Sequence, residues 1–160
     1  MAKYVFDSSA FIRLYKIFPR RNTFDALWKK YDILINNQEI ISSSEAYREI
    51  TGRDNIVKEG VKNYKHIFLK PTDKEISLVP VILAKHPFLI KMKNINNGNP
   101  VADPFLIAMA KERNLTLVTD EKQSLNAHKI PNICIEYGIV CVDLFDFFDK
   151  ENLKLVESSK

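Results

Sequence analysis

The chain has 160 residues, 46% of them hydrophobic and 28% charged, with a formal net charge of +4 at pH 7. This length predicts one domain with a core of ordinary size, and only 4 glycines and 7 prolines exclude a collagenous or linker-rich chain. The balance of 24 Lys and Arg against 20 Asp and Glu permits a polyanionic partner without requiring one.

An acid already at Asp7 argues against a signal peptide. Apolar runs such as Phe105–Ala110 fall far short of the ~20 residues that span a bilayer. Cys134 and Cys141 sit in apolar surroundings and read as small core residues rather than a disulfide or metal pair. A cytoplasmic protein is expected. His66, His86 and His128 match no zinc spacing.

In chain order, Lys3–Phe6 reads as a strand ending at Asp7. A helix comes next, through Tyr15, with Ser8 or Ser9 as its cap, and Pro19 breaks it. Thr23 is expected to cap a second helix with Phe24, Leu27, Trp28 and Tyr31 on one stripe. Glu39–Ser42 is a short strand. Serines 42–44 cap a helix carrying Glu45, Tyr47, Arg48 and Glu49, which ends at Gly52. Residues 54–66 and 73–86 read as helical, and Pro80 is expected to kink or split the second. Asn94–Pro100 is a loop. Ala102–Arg113 is an apolar helix, Leu115–Thr119 a strand buried on both faces, Ile130–Tyr137 a helix stopped by Gly138, Ile139–Val142 a strand and Leu144–Asp149 a last helix. The domain spans residues 1–150, and 151–160 read as a polar tail that frays.

Strands separated by helices give an α/β fold with a short, mostly parallel central sheet. Sites in such sheets form at the carboxyl ends of the strands. Asp7 follows the first strand, Asp120 and Glu121 follow the strand 115–119, Glu49 lies on the helix after the second strand, and Asp103 opens the helix leading into strand 115–119. Each acid alone has a plain structural role as a cap, a turn or a solvated helix face. Converging together they would repel one another, and a hard divalent cation relieves that repulsion. Oxygen ligands without His or Cys suit Mg²⁺ or Mn²⁺.

The succession Val5-Phe6-Asp7-Ser8-Ser9, Glu49-Ile50, Ala102-Asp103-Pro104-Phe105-Leu106-Ile107-Ala108 and Leu117-Val118-Thr119-Asp120-Glu121 resembles a PIN domain, the nuclease fold of the VapC-like toxins. The stretches Lys129–Cys134 and Tyr137–Cys141 resemble one PIN-like subfamily of otherwise uncharacterised prokaryotic proteins. The resemblance runs from Tyr4 to about Phe148, and the stretch from Ala102 to Glu121 is its most specific part. It implies a three-layer α/β/α sandwich and a metal-dependent endoribonuclease, the toxin of a type II toxin–antitoxin pair. One or two Mg²⁺ or Mn²⁺ ions would be held by Asp7, Glu49, Asp103 and Glu121. Glu45 is the rival of Glu49, and Asp120 the rival of Glu121. Ser9 and Thr119 would support the acids by hydrogen bonds.

Basic residues cluster at Lys16, Arg20, Arg21, Lys29 and Lys30, and again at Lys85, Lys91 and Lys93. Arg20, Arg21 and Arg48 are the candidate RNA contacts. The resemblance also implies an antitoxin partner and a homodimer. The aromatic first two helices, read mainly as core, and Phe145-Asp146-Phe147-Phe148 are candidate interfaces. Two other readings remain: a non-catalytic PIN-like module that binds RNA or protein, and a phosphotransfer protein. The second is weakened because Ser9 stands where a haloacid dehalogenase phosphatase needs an acid, and because a receiver's paired acids are missing before a phosphoacceptor strand.

Overall fold

A computed structural model describes residues 1–20, 22–52, 55–90, 101–123 and 129–155. Five short strands, β1 (Tyr4–Phe6), β2 (Ile40–Ser43), β3 (Phe68–Leu69), β4 (Thr116–Val118) and β5 (Cys141–Val142), form one sheet in the order β3-β2-β1-β4-β5. Every pairing is parallel: Val5 lies opposite Ile41 and Leu117, Ser43 opposite Leu69, and Val118 opposite Val142. All three β1 residues are buried, as a central strand covered on both faces requires.

The helices are α1 (Ser8–Ile17), α2 (Asp25–Asn36), α3 (Ser44–Thr51), α4 (Asn55–Val61), α5 (Asp73–Lys85), α6 (Asp103–Arg113), α7 (Ile130–Tyr137) and α8 (Leu144–Lys150). Strand order steps outward from β1 in both directions, so right-handed crossovers put α1–α4 on one face and α5–α7 on the other. The fold is α/β, with helical layers flanking a parallel sheet. Phe6 fixes the first layer, with its ring 5.2 Å from Phe11 of α1 and 4.9 Å from Phe147 of α8. On the other face, α6 packs against β1, β2 and β4 and beneath α5. That position between two layers explains why Leu106, Ile107, Ala108, Met109 and Ala110 are all buried.

Several local expectations change. Asp7, not Ser8 or Ser9, caps α1, accepting the Ala10 amide. Thr23 lies in a 3-10 turn, Asn22–Phe24, and α2 has no side-chain cap. Of the stretch expected to be helical over 54–66, the described part begins as α4 at Asn55 and tightens into a 3-10 helix, Lys62–Ile67, that leads into β3, a two-residue strand too short to show in the sequence. Pro80 does not split α5, because Pro80 and Ile76, whose carbonyl loses its partner, both face solvent. Thr72 and Glu75 form a capping box at the start of α5. Glu75 is buried and pairs with Arg113 Nε at 2.5 Å, tying α5 to α6. Gly138, with φ of 66°, stops α7, as its sequence position predicts. Cys134 and Cys141 are free thiols.

The chain does not leave the domain at residue 150. The Tyr4 hydroxyl donates to Glu151 Oε1 at 2.6 Å, and Leu153 packs against the core. The loop 94–100, Lys91, Lys93, Arg21, His128 and the tail from 156 lie outside the described residues. Among the described residues, no helix is long and apolar enough to cross a membrane.

Candidate functional site

Parallel pairing aligns the carboxyl ends of the strands, so the segments leaving β1, β2 and β4 meet at one edge. Asp7 comes directly after β1 and is only 2% exposed. Its Oδ1 accepts the Ser9 hydroxyl at 2.7 Å and the Ala10 amide at 2.8 Å. Its Oδ2 accepts the Thr119 hydroxyl. The Asp7 amide donates to Val118 at 3.0 Å, which clamps β1 to β4 where both strands end.

Thr119 and Ser9 extend this network. Thr119 Oγ1 lies 3.3 Å from Ser9 Oγ and accepts the Glu121 amide at 3.1 Å. The Asp120 amide donates to Ser9 Oγ at 2.9 Å. Ser9 and Thr119 therefore both hydrogen-bond to one buried carboxylate.

Burial pushes the Asp7 pKa up from 3.8 to about 7. Hydrogen bonds from Thr119, Ser9 and the Ala10 amide pull it down, and the nearby charge of Glu121 pushes it further up. Two acids from separate strands thus repel one another at the same edge. Glu121 also accepts the Ile130 amide on Oε2 at 3.1 Å, at the start of α7.

Asp120 is drawn elsewhere. Its Oδ1 pairs with Arg13 Nη1 at 3.1 Å, and the Arg13 guanidinium lies 5.3 Å from the Phe145 ring centroid. Between the two acids after β4, Glu121 is the one whose charge acts on Asp7. Arg13 is a neighbour of this edge that no sequence motif marks. Its one signal in the chain is its position four residues after Ser9, on the same side of α1.

Glu45, in the first turn of α3, receives Arg48 Nη1 on both carboxylate oxygens at 3.3 and 3.1 Å. Arg48, 60% exposed, thereby pairs with an acid of its own helix. Glu49 lies one turn further along α3 and is half-buried. Asp103 is the first residue of α6, preceded by Ala102 with no side-chain cap. Since α6 runs antiparallel to the strands into β4, Asp103 stands at the carboxyl edge, and α6 touches α3.

Arg20 is not at this edge. It lies beyond α1, which runs away from Asp7 for ten residues, and its guanidinium forks Asp32 at 3.0 and 2.5 Å while stacking 4.4 Å above Trp28. The aromatic stripe of α1 and α2 is mostly core: Phe11, Tyr15, Phe18, Trp28 and Tyr31 are buried. Of the candidate C-terminal interface, Phe147 and Phe148 are buried, whereas Phe145 is exposed.

The donor chemistry at the edge, carboxylates and hydroxyls without His or Cys, fits a hard divalent cation. The buried Ser8 hydroxyl has no hydrogen-bond partner among the described residues. Among the described residues, no three His, Cys, Asp or Glu side chains form a ready-made metal group.

A family model described as a domain of unknown function (DUF4411) matches residues 4–155. No curated protein matches the chain. Among solved structures, the crystal structure of PAE2754 from Pyrobaculum aerophilum is similar with a TM-score of 0.52 at 13% identity, covering 94% of this chain and 97% of that one. At that identity the likeness concerns the fold.

Proposed function

Within the DUF4411 family, to which the chain belongs, we propose that this protein is a divalent-metal-dependent endoribonuclease of the PIN type. The observation that carries the reading is the buried Asp7 carboxylate, hydrogen-bonded by Ser9, Ala10 and Thr119 and repelled by Glu121 at the carboxyl edge of a parallel sheet. Perturbed acids at such an edge are the expected mark of a site. Asp7, Glu121, Asp103 and Glu49 are the residues that would hold Mg²⁺ or Mn²⁺. The bound ion would neutralise phosphate charge and acidify a water.

The chain's own part is preorganisation. Ser9 and Thr119 each hold one oxygen of the Asp7 carboxylate, and the backbone at Ala10 holds it at the helix start. Arg13 draws Asp120 aside, leaving Glu121 as the second acid. The antitoxin partner, the homodimer and the cytoplasmic setting rest on the resemblance and on the amino-acid sequence.

The test is cleavage of 5′-labelled RNA with Mg²⁺, with Mn²⁺ and with EDTA. Cleavage should require the metal and vanish in Asp103→Ala. Full cleavage by an Asp7→Asn, Asp103→Asn double variant overturns the reading. A non-catalytic RNA-binding or protein-binding module is the second reading, favoured by the lack of a three-ligand group among the described residues. Calorimetry separates the two: heat of Mn²⁺ binding supports the nuclease, and its absence supports the module.

A further inference from the structure

We propose that Arg13 and Phe145, which meet beside Asp120 at the carboxyl edge of the sheet, hold the RNA strand at the acidic site: Arg13 takes a backbone phosphate and Phe145 stacks a neighbouring base. The inference deepens the nuclease reading and rests on it for the identity of the strand as RNA. The placement of the two residues rests on geometry.

Parallel pairing brings both residues to the edge. Strand β5 ends at Val142, opposite Val118 of β4, and the Thr119 amide donates to the Val142 carbonyl at 3.0 Å. Helix α8 begins at Leu144 with Asp143 as its cap, so Phe145 stands in its first turn, near the exit of β4. Arg13 comes from α1, the helix that Asp7 caps. A helical side chain leans toward the N-terminus of its helix, which for α1 is the edge. Arg13 Nη1 accordingly reaches Asp120 Oδ1 at 3.1 Å. The Asp120 amide donates to Ser9 Oγ, and the Ser9 hydroxyl donates to Asp7. The guanidinium is thereby linked to the buried carboxylate through Asp120 and Ser9.

Arg13 differs from the other described arginines in what the fold does with its donors. Arg20 donates three hydrogen bonds, Arg48 two, and Arg113 one to the buried Glu75. Arg13 donates none among the described residues: its contact with Asp120 is an ion pair, and its buried Nε has no hydrogen-bond partner. A guanidinium binds an oxyanion through parallel N–H bonds, and here that capacity is unspent. With its side chain 32% exposed, Arg13 is open enough to meet a phosphate.

Phe145 supplies the second contact. Its ring centroid lies 5.3 Å from Arg13 Cζ, and edge contacts with Phe18 and Phe148, at 6.4 and 5.9 Å, fix the ring in place. The residue is nonetheless 47% exposed, whereas Leu144, Phe147 and Phe148 of the same helix are buried. A fixed, open aromatic ring beside a cation suits single-stranded nucleic acid, because stacking accepts any base while the cation meets the backbone. The pair therefore grips a strand without choosing its sequence.

The test measures binding of a 5′-fluorescein-labelled 20-nucleotide oligoadenylate by fluorescence anisotropy in EDTA, where binding is separated from cleavage. Arg13→Gln should weaken binding at least tenfold and lower the slope of log affinity against log salt by ~0.7, the share of one phosphate on a single strand. Phe145→Leu, which keeps apolar contact with Phe18 and Phe148, should weaken binding at least fivefold and leave that slope unchanged. Asp120→Asn releases the guanidinium and should tighten binding at least threefold, a gain that should vanish in an Arg13→Gln background. Circular dichroism checks each fold. Arg13→Lys and Phe145→Met stand in for a variant that fails to fold, with losses of at least threefold. No binding by wild type, unchanged affinity in the Arg13 or the Phe145 variant, or an Asp120→Asn gain that persists without Arg13 would each overturn the proposal. Metal-dependent cleavage with undiminished binding by both variants overturns the Arg13–Phe145 site alone. Binding that depends on both residues, without metal-dependent cleavage, overturns the nuclease reading alone.

Discussion

Thr119 donates its hydroxyl to Asp7 Oδ2 across 112 positions of the chain. The same hydroxyl oxygen accepts the Glu121 amide at 3.1 Å, so one side chain ties the exit of β4 to the exit of β1. A buried carboxylate whose partners come from two strands is fixed by the pairing of those strands, and its ionisation is coupled to the integrity of the sheet edge.

Asp7 sets a pH dependence of stability. Its pKa in the folded protein is about 7 against an ordinary 3.8, so between those values the folded state holds a proton that the unfolded chain has released. Stability then falls as pH rises through that window, by at most ~1.4 kcal/mol per pH unit. Thermal midpoints measured from pH 4 to 8 should decline for wild type and flatten for Asp7→Asn, which becomes the more stable protein at pH 8. Parallel profiles for the two proteins would contradict the assignment.

Removing the Thr119 hydroxyl strands two groups at once, the Asp7 carboxylate and the Glu121 amide. Thr119→Val should destabilise the fold by ~1–3 kcal/mol and raise the Asp7 pKa further, while Thr119→Ser should restore both. Urea unfolding reads the first effect, and carbon-13 NMR titration of the Asp7 carboxyl reads the second.

Arg20 belongs to a surface clamp with Asp32, Tyr64 and Trp28, remote from the acidic edge. The pair is more than a third exposed on the arginine side, at 41%, so screening keeps its worth to ~1 kcal/mol or less. Arg20→Lys should lower the thermal midpoint slightly and leave kcat/KM for RNA within threefold of wild type. A tenfold loss of kcat/KM with the fold intact would return Arg20 to the substrate site.

Gly60 has a packing reason to be glycine. A Cβ there would run into the Tyr15 ring. That ring cannot retreat, because it packs 5.0 Å from Trp28 and donates its hydroxyl to the Gly60 carbonyl at 3.2 Å. Gly60→Ala should cost ~1–3 kcal/mol by chemical denaturation, and much less in a Tyr15→Leu background, where the added methyl has room.

Much of the fold and part of the site are legible in the chain itself. The apolar run after Asp103, the strand before Asp120 and the stop at Gly138 come from hydrophobic pattern and backbone freedom, which are local properties. The same local signals identify Asp7, Asp103 and the acids after β4 as the groups to watch, since each borders a segment that must be buried. Two-residue β3 and the unbroken helix through Pro80 are not legible, because a strand that short carries no period and because the cost of proline depends on whether the freed Ile76 carbonyl reaches water.

Tertiary structure alone decided how the acids differ. In the sequence Asp120 and Glu121 are neighbours of equal standing. Arg13 holds Asp120, while Glu121 lies near enough to Asp7 to act on its charge. The contacts of Asp120 with Arg13 and of Glu121 with Asp7 join residues from different elements, so they come into being only when parallel pairing brings the strand ends to one edge. The amino-acid sequence determined which residue types could occupy that edge, and burial and strand register determined which of them meet.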